Sequence, residues 1–173
     1  MVVNSENIVL FNNVSIDYPL KKYTIRAVTD VTLPIKRGKI TALVGESGSG
    51  KTTLASSLIR CISEPGKIAE GEIYFYGCNG SGGYEEIRTD LLSDKQMRKF
   101  RWNKVSMVFQ AAQSALNPVM TVRDQFFETI ISHDAKRPKD EVENKCRELL
   151  RYVKLDADRV LASYPHELSG GMK

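Results

Sequence analysis

The chain has 173 residues, 42% of them apolar and 27% charged, the make-up of one ordinary globular domain rather than a disordered chain. Lys plus Arg number 25 and Asp plus Glu 21, a net charge of +4, too mild to call for nucleic acid. No apolar run approaches the roughly 18 residues of a membrane span, the start MVVNSENIVLFNNVSIDY lacks the basic-then-apolar order of a secretory leader, and Cys61, Cys78 and Cys146 are dispersed without C-x-x-C spacing, as in a reducing compartment.

Residues 8–18 and 26–35 are rich in Val, Ile and Thr with partial alternation, which predicts two strands with a break at 19–22. Lys36 to Lys39 make a turn. Residues 40–44 (ITALV) follow as an almost purely apolar run, the pattern of a strand buried on both faces of a parallel sheet. After a glycine-rich bend, Leu54, Leu58 and Cys61 at helical spacing predict a helix over 51–61, ended by Pro65 and Gly66. Residues 72–76 predict a strand, and 77–83, with four glycines, a loop. A basic helix is expected over 93–101, capped by Ser93 or Asp94, then a strand over 104–109. Helices are expected over 121–131 and 138–155. In the second, Val142, Cys146, Leu149, Leu150 and Val153 share one face, and Pro138 suits the first turn. Strands dominate the first half and helices the second, an α/β chain with a helical portion after about residue 115.

Gly45-Glu46-Ser47-Gly48-Ser49-Gly50-Lys51-Thr52 matches G-x-x-x-x-G-K-[ST], and Thr53 follows. Glycines let the backbone approach a phosphate with no Cβ in the way. Successive N–H groups can then converge on anionic oxygens, and the helix starting near Lys51 aims its unpaired amides and positive dipole end at the same place. Lys51 adds a full positive charge at the β- and γ-phosphates, and the Thr52 hydroxyl is a ligand for Mg²⁺. A buried strand before the loop and a helix after it are the setting this chemistry needs. Many unrelated nucleotide hydrolases share the loop, so it does not name a function alone.

A second motif closes the chain: Leu168-Ser169-Gly170-Gly171, preceded by Tyr164-Pro165-His166-Glu167, a serine and two small residues at an expected helix start. Together the two motifs resemble the ATP-binding subunit of an ABC transporter, whose signature sequence is Leu-Ser-Gly-Gly. The resemblance runs across the whole chain. It is nearest the branch serving oligopeptide, dipeptide and nickel importers, through Gly66-Lys67-Ile68, Gly71-Glu72-Ile73, the insertion over 77–101 and Ser114-Ala115-Leu116-Asn117-Pro118. It implies an α/β phosphate-loop ATPase core with an N-terminal antiparallel β subdomain and a helical subdomain, divided at about residue 110.

The resemblance further implies site roles. Val108-Phe109-Gln110 is similar to the family's Q-loop, in which the glutamine reaches Mg²⁺ and the attacking water. Tyr18 resembles the aromatic that stacks on adenine, with Tyr23 as local competitor. Ser169, Gly170 and Gly171 would contact the γ-phosphate of ATP held by the opposite subunit of a dimer. The implied cofactors are ATP and Mg²⁺. The implied partners are a second ATPase subunit, identical or not, transmembrane permease subunits and, indirectly, a solute-binding protein, with no nucleic acid. The implied place is the cytoplasmic face of the membrane.

In the family the chain continues past the position of Lys173 into a strand that ends in an aspartate and a glutamate, then a switch histidine. The expectation is therefore an N-terminal piece of a longer ATPase, which binds nucleotide far better than it cleaves it. An unfinished parallel sheet also predicts poor stability or aggregation of this polypeptide alone. Two other readings remain at this point: a soluble ABC-type ATPase without a transporter, and a non-catalytic nucleotide-binding fragment. His166 and His133 are expected to be structural and solvated respectively, and the basic stretch 95–104 a solvated helix face.

Overall fold

The computed structural model describes residues 6–78, 83–109, 115–134 and 136–172. They form two compact units, one ending at Ser106 and one beginning at Met107. The first unit is built on a four-stranded sheet of β1 (Asn7–Pro19), β2 (Thr24–Lys36), β3 (Lys67–Cys78) and β4 (Tyr84–Arg88), in the order β2-β1-β3-β4 and antiparallel at every pairing. Two helices, α1 (Lys51–Ser57) and α2 (Asp94–Asn103), complete it.

Irregular register, most clearly a bulge at Asn13, explains why the first two strands alternate only partially. Val9 and Phe11 of β1 face the core, and so do Val14 and Ile16, which have the opposite parity. Between them the register slips against both neighbours, as an extra residue must make it do. Asn13 takes φ 51° there, and Asp30 of β2 takes φ 48°. The two are joined by Asn13 Nδ2 to Asp30 Oδ1 at 2.7 Å, and the Asp30 N–H donates to Ser15 Oγ at 3.0 Å. On the other flank Gly71 of β3 lies so close to the Asn12 and Asn13 carbonyls that no Cβ fits.

α1 is shorter than the predicted 51–61. It stops because Arg60 turns left-handed at φ 50°. The Cys61 N–H then reaches back to Ser56 O at 2.9 Å and the Arg60 N–H to Ser57 O at 3.1 Å, the paired bonds of a Schellman ending. Leu54 and Ile59 are buried while Cys61 is exposed. The Arg101 guanidinium caps the same end, with Nε on Ile59 O at 2.8 Å and Nη2 on Arg60 O at 3.0 Å. α2 starts as expected, in a capping box between Ser93 and Gln96. Its Met97 and Phe100 pack inward, Phe100 edge-on to Phe75 at 5.1 Å. Trp102, at φ 72°, ends its regular part.

Two predicted strands are corrected. Residues 40–44 join no ladder among the described residues, and Ile40 is 100% and Val44 92% exposed. Residues 104–109 make a single isolated bridge, Val105 with Arg101, and Val108 is 88% exposed. The reason is elementary: a parallel strand exists only beside partners that take its N–H and C=O groups. No described strand lies beside either run.

β4, which lies within the insertion over 77–101, is fixed to β3 by charge. Arg88 grips Asp90 through Nε and Nη2 at 3.0 and 2.6 Å and reaches Glu72 through Nη1 at 2.6 Å. Asp90 also accepts the Ile73 N–H at 3.1 Å. Burial pushes the Asp90 carboxyl up, but the Arg88 fork and the Ile73 amide outweigh it and hold it below the usual carboxylate range.

The second unit is helical: α3 (Val122–His133), α4 (Lys139–Tyr152) and α5 (Ala157–Ala162), followed by a single 3₁₀ turn at Pro165–Glu167. Thr121 caps α3 and Asp156 caps α5. Val142, Cys146 and Leu150 of α4 pack against Val122, Val160 and Leu161. Leu149 and Val153, expected on the same face, are exposed, because the i, i+4, i+8 stripe already fills the width that faces α3 and α5. Pro138 sits just outside α4 as its N-cap rather than within it. Among the described residues no helix is long and apolar enough to cross a membrane.

Candidate functional site

The bend between the 40–44 run and α1 is shaped by two left-handed glycines, Gly48 at φ 82° and Gly50 at φ 84°, with Gly50 as the N-cap of α1. The Ser49 N–H donates to Glu46 O at 3.2 Å, and the Leu54 N–H to Gly50 O at 2.8 Å. Gly50 is pressed against β2: a Cβ there would stand 2.5 Å from Ala27 O and 3.2 Å from Val28 Cγ2. The helix start therefore comes to the sheet edge at a distance only glycine allows.

Lys51 folds back over its own loop. Its Nζ donates to Glu46 O at 2.5 Å and to Ser49 Oγ at 3.0 Å. At Gly45 a Cβ would meet Ser49 Oγ at 3.1 Å and lie 3.9 Å from Lys51 Nζ. The ammonium thus sits over the concavity of the bend, which is where an anion's charge would be met. Thr52 is exposed in the first turn of α1, Thr53 is half-buried, and Glu46 and Ser47 face solvent. A groove of about 330 Å³ borders the loop, lined by Ala27, Val28, Leu43, Gly50 and Lys51 among others. A larger cavity of about 1100 Å³ flanks α3 and includes none of these residues.

Tyr18 lies at the end of β1, paired with Ile25 of β2. Ala27, two residues further along β2, is the residue Gly50 touches. With strands about 4.8 Å apart and a rise of about 3.4 Å per residue, the Tyr18 backbone is roughly 8–9 Å from Ala27. That is a distance a nucleotide can bridge. Asp17 and Glu70 both bind Arg26 beside it, at 2.9 and 3.1 Å. Tyr23, the competitor, is exposed in the strand link. Gln110 lies outside the described residues.

The signature residues belong to the second unit. Leu168 is buried in the helical core, and Ser169, Gly170 and Gly171 emerge from it exposed. The expected helix start is here one turn, closed by the Met172 N–H on Ser169 O at 2.9 Å. Tyr164 stacks on His166 at 5.7 Å, and its N–H donates to Glu167 at 2.8 Å, so the residues before the signature form a small self-bonded corner. Among the described residues no His/Cys/Asp/Glu cluster could hold a metal.

The comparisons with known proteins decide the family. The ABC transporter family model matches residues 28–173. The chain belongs to that family. Among curated relatives of this ABC chain, the dipeptide transport ATP-binding protein DppD of Caldanaerobacter subterraneus is 37% identical over 90% of this chain and 45% of its own length. The oligopeptide transport ATP-binding protein AppD of Bacillus subtilis is 37% identical over 94% and 47%. The glutathione import ATP-binding protein GsiA of Salmonella choleraesuis is 34% identical over 99% and 27%. The chain thus spans under half the length of these relatives. Among solved structures, a dimeric ABC transporter cassette superposes with a TM-score of 0.75 at 28% identity, over 95% of this chain and 64% of the other. A post-hydrolysis state of that cassette, bound to ADP and Pi, gives 0.72 at 27% identity, over the same shares of the two chains. The fold is that of an ABC ATPase cassette.

What the sequence reading missed is the support of the site. It had no means of seeing that Gly50 rests on Ala27 or that Gly66 rests on Tyr18. The only sequence signal for the second was a glycine after Pro65, which also serves as an ordinary helix stop.

Proposed function

We propose that this chain carries the ATP-binding half-site of an energy-coupling ATPase subunit of a peptide importer. The observation that carries it is the bend over residues 45–52. Its two left-handed glycines, the N-terminus of α1 and the Lys51 ammonium converge on one concavity. Those are the parts that hold a polyphosphate. The peptide assignment rests on what the relatives DppD and AppD are named for.

In this reading Gly45, Glu46, Ser47, Gly48, Ser49 and Gly50 present backbone amides to the phosphates. Lys51 leaves Glu46 O and Ser49 Oγ for phosphate oxygens. Thr52, exposed in the first helical turn, supplies a hydroxyl for Mg²⁺, Thr53 adds a donor beside it, and Gln110 completes the metal and water contacts. Bound Mg²⁺ would spread the charge that develops on the transferring phosphoryl group. Tyr18 stacks on the base. Ser169, Gly170 and Gly171 serve the nucleotide of a second subunit, and permease subunits at the cytoplasmic face of the membrane take up the movement.

The test is Mg-ATP affinity by calorimetry, for the chain as it stands and for Lys51→Ala. Loss of one charge-assisted contact, about 1.5–3 kcal/mol, predicts affinity weaker by ten-fold or more. Equal affinities would remove the loop from the site.

A further inference from the structure

Gly66 has no backbone reason to be glycine. It is absent from the left-handed residues, which among the described glycines are Gly38, Gly48, Gly50 and Gly71, so a positive φ is not what calls for glycine there. It ends a turn in which its N–H donates to Ser63 O at 2.9 Å, a bond every residue except proline could make. What excludes a side chain is space. A Cβ at 66 would stand 2.6 Å from Cε1 and 2.8 Å from Cζ of Tyr18, and 2.6 Å from Cγ2 of Ile62. Real Cβ atoms do not approach carbon that closely. The hydroxyl-bearing end of the Tyr18 ring is therefore seated against the bare Cα of Gly66, and Ile62 crowds the same position. Tyr18 is half-buried, so part of the ring stays open.

We propose that Gly66 is a positioning residue for base recognition: it is the seat that fixes the plane of the Tyr18 ring, and through it the stacking of an adenine. This rests on the reading of Tyr18 as the base-stacking aromatic. An aromatic platform contributes more to binding when its plane is held before the base arrives; a freely turning ring loses part of that contribution to being ordered. The glycine supplies the hold at no cost in room. A methyl at 66 must push the ring, because the opposing atoms belong to a rigid six-membered ring tied to a paired strand.

The test is a double-mutant cycle on the full chain, with Mg-ATP and inorganic tripolyphosphate as probes in calorimetry. Gly66→Ala is expected to weaken Mg-ATP binding about five-fold or more, the share a single stacking contact provides, and to leave tripolyphosphate unchanged. Tyr18→Ala is expected to do the same. The double variant should bind Mg-ATP no worse than Tyr18→Ala alone, since Gly66 acts only through the ring. If Tyr18→Ala weakens Mg-ATP and Gly66→Ala does not, the seat is refuted while the stacking reading stands. If Tyr18→Ala has no effect, the stacking reading falls and takes the seat with it. A further loss from Gly66→Ala in the Tyr18→Ala background also overturns the proposal. Should Gly66→Ala alone fail to fold, the contact predicts that adding Tyr18→Ala restores tripolyphosphate binding, and failure to restore it counts against the proposal equally.

Discussion

Gly48 and Gly50 offer a controlled comparison, because the backbone asks the same of both and the surroundings do not. Their φ values are 82° and 84°. Alanine at either place costs the left-handed penalty of about 1–2 kcal/mol. At Gly48 a Cβ meets nothing within 4 Å, so Gly48→Ala should cost that and no more. At Gly50 the same atom stands 2.5 Å from the Ala27 carbonyl oxygen and 3.2 Å from Val28. The overlap is backbone on backbone, with no flexible end to yield, and overpacking of that kind adds about 1–3 kcal/mol. The expected difference between the two variants is therefore about 1–3 kcal/mol. Urea unfolding of the two proteins, compared at equal m-values, measures it directly. Equal losses would mean that α1 does not start against β2, and the geometry of the phosphate loop would lose its support.

Three other outcomes follow from the same contacts. Asp90 is held below its ordinary range, so the unfolded chain binds that proton more tightly. The stability it contributes is full above the ordinary Asp value of about 3.9 and is lost as pH falls through the lower folded value. Amide exchange in β4 should accelerate in that acid window, and Asp90→Asn should remove the part of the pH dependence that Asp90 supplies, leaving that of Glu72. Cys146 is buried, and burial first, then the Glu143 charge, pushes its thiol up, whereas Cys61 and Cys78 are exposed; a thiol reagent should titrate two groups quickly and the third only on unfolding, and three fast thiols would contradict the helical core. Trp102 holds φ 72°, so Trp102→Gly should be more stable than Trp102→Ala by about 1 kcal/mol, the strain that a Cβ keeps at positive φ, seen as a higher urea midpoint.

How much of this was legible depended on how local each feature is. The bend over residues 45–52 could be read because its glycines, lysine and helix start lie within eight residues, and the left-handed backbone it takes is one that glycine itself favours. The Ser93–Gln96 capping box was visible for the same reason. Residues 40–44 and 104–109 have the composition of buried strands, but a strand is made by its neighbours, and composition does not say whether those lie alongside. β4 was missed because Glu85, Glu86 and Arg88 do not look like strand residues; its pairing rests on the Arg88–Asp90–Glu72 network, whose members become adjacent only once β3 and β4 lie side by side. The bulge at Asn13 shifted the parity of β1 and blurred the alternation that would have marked it. Of the candidate site, the left-handed bend at Gly48 and Gly50 was readable in place, while the contact of Gly66 with Tyr18 joins residues 48 positions apart.

The first unit links these features into one argument about binding. β2 fixes Gly50 through Ala27, Gly50 fixes the start of α1, and Lys51 follows as the first helical residue with its ammonium turned over the bend. The loop is thus held by contacts the chain makes with itself, and a phosphate meeting it need order little beyond one lysine side chain. Under the proposed function that lysine would exchange acceptors on binding, from Glu46 O and Ser49 Oγ to phosphate oxygens, so its charge would not be left without a partner. Affinity at such a site is governed by the rigidity of the β2 contact as much as by the loop's own residues. A change at Ala27 or Val28 should therefore reach nucleotide binding although neither residue lies within the loop.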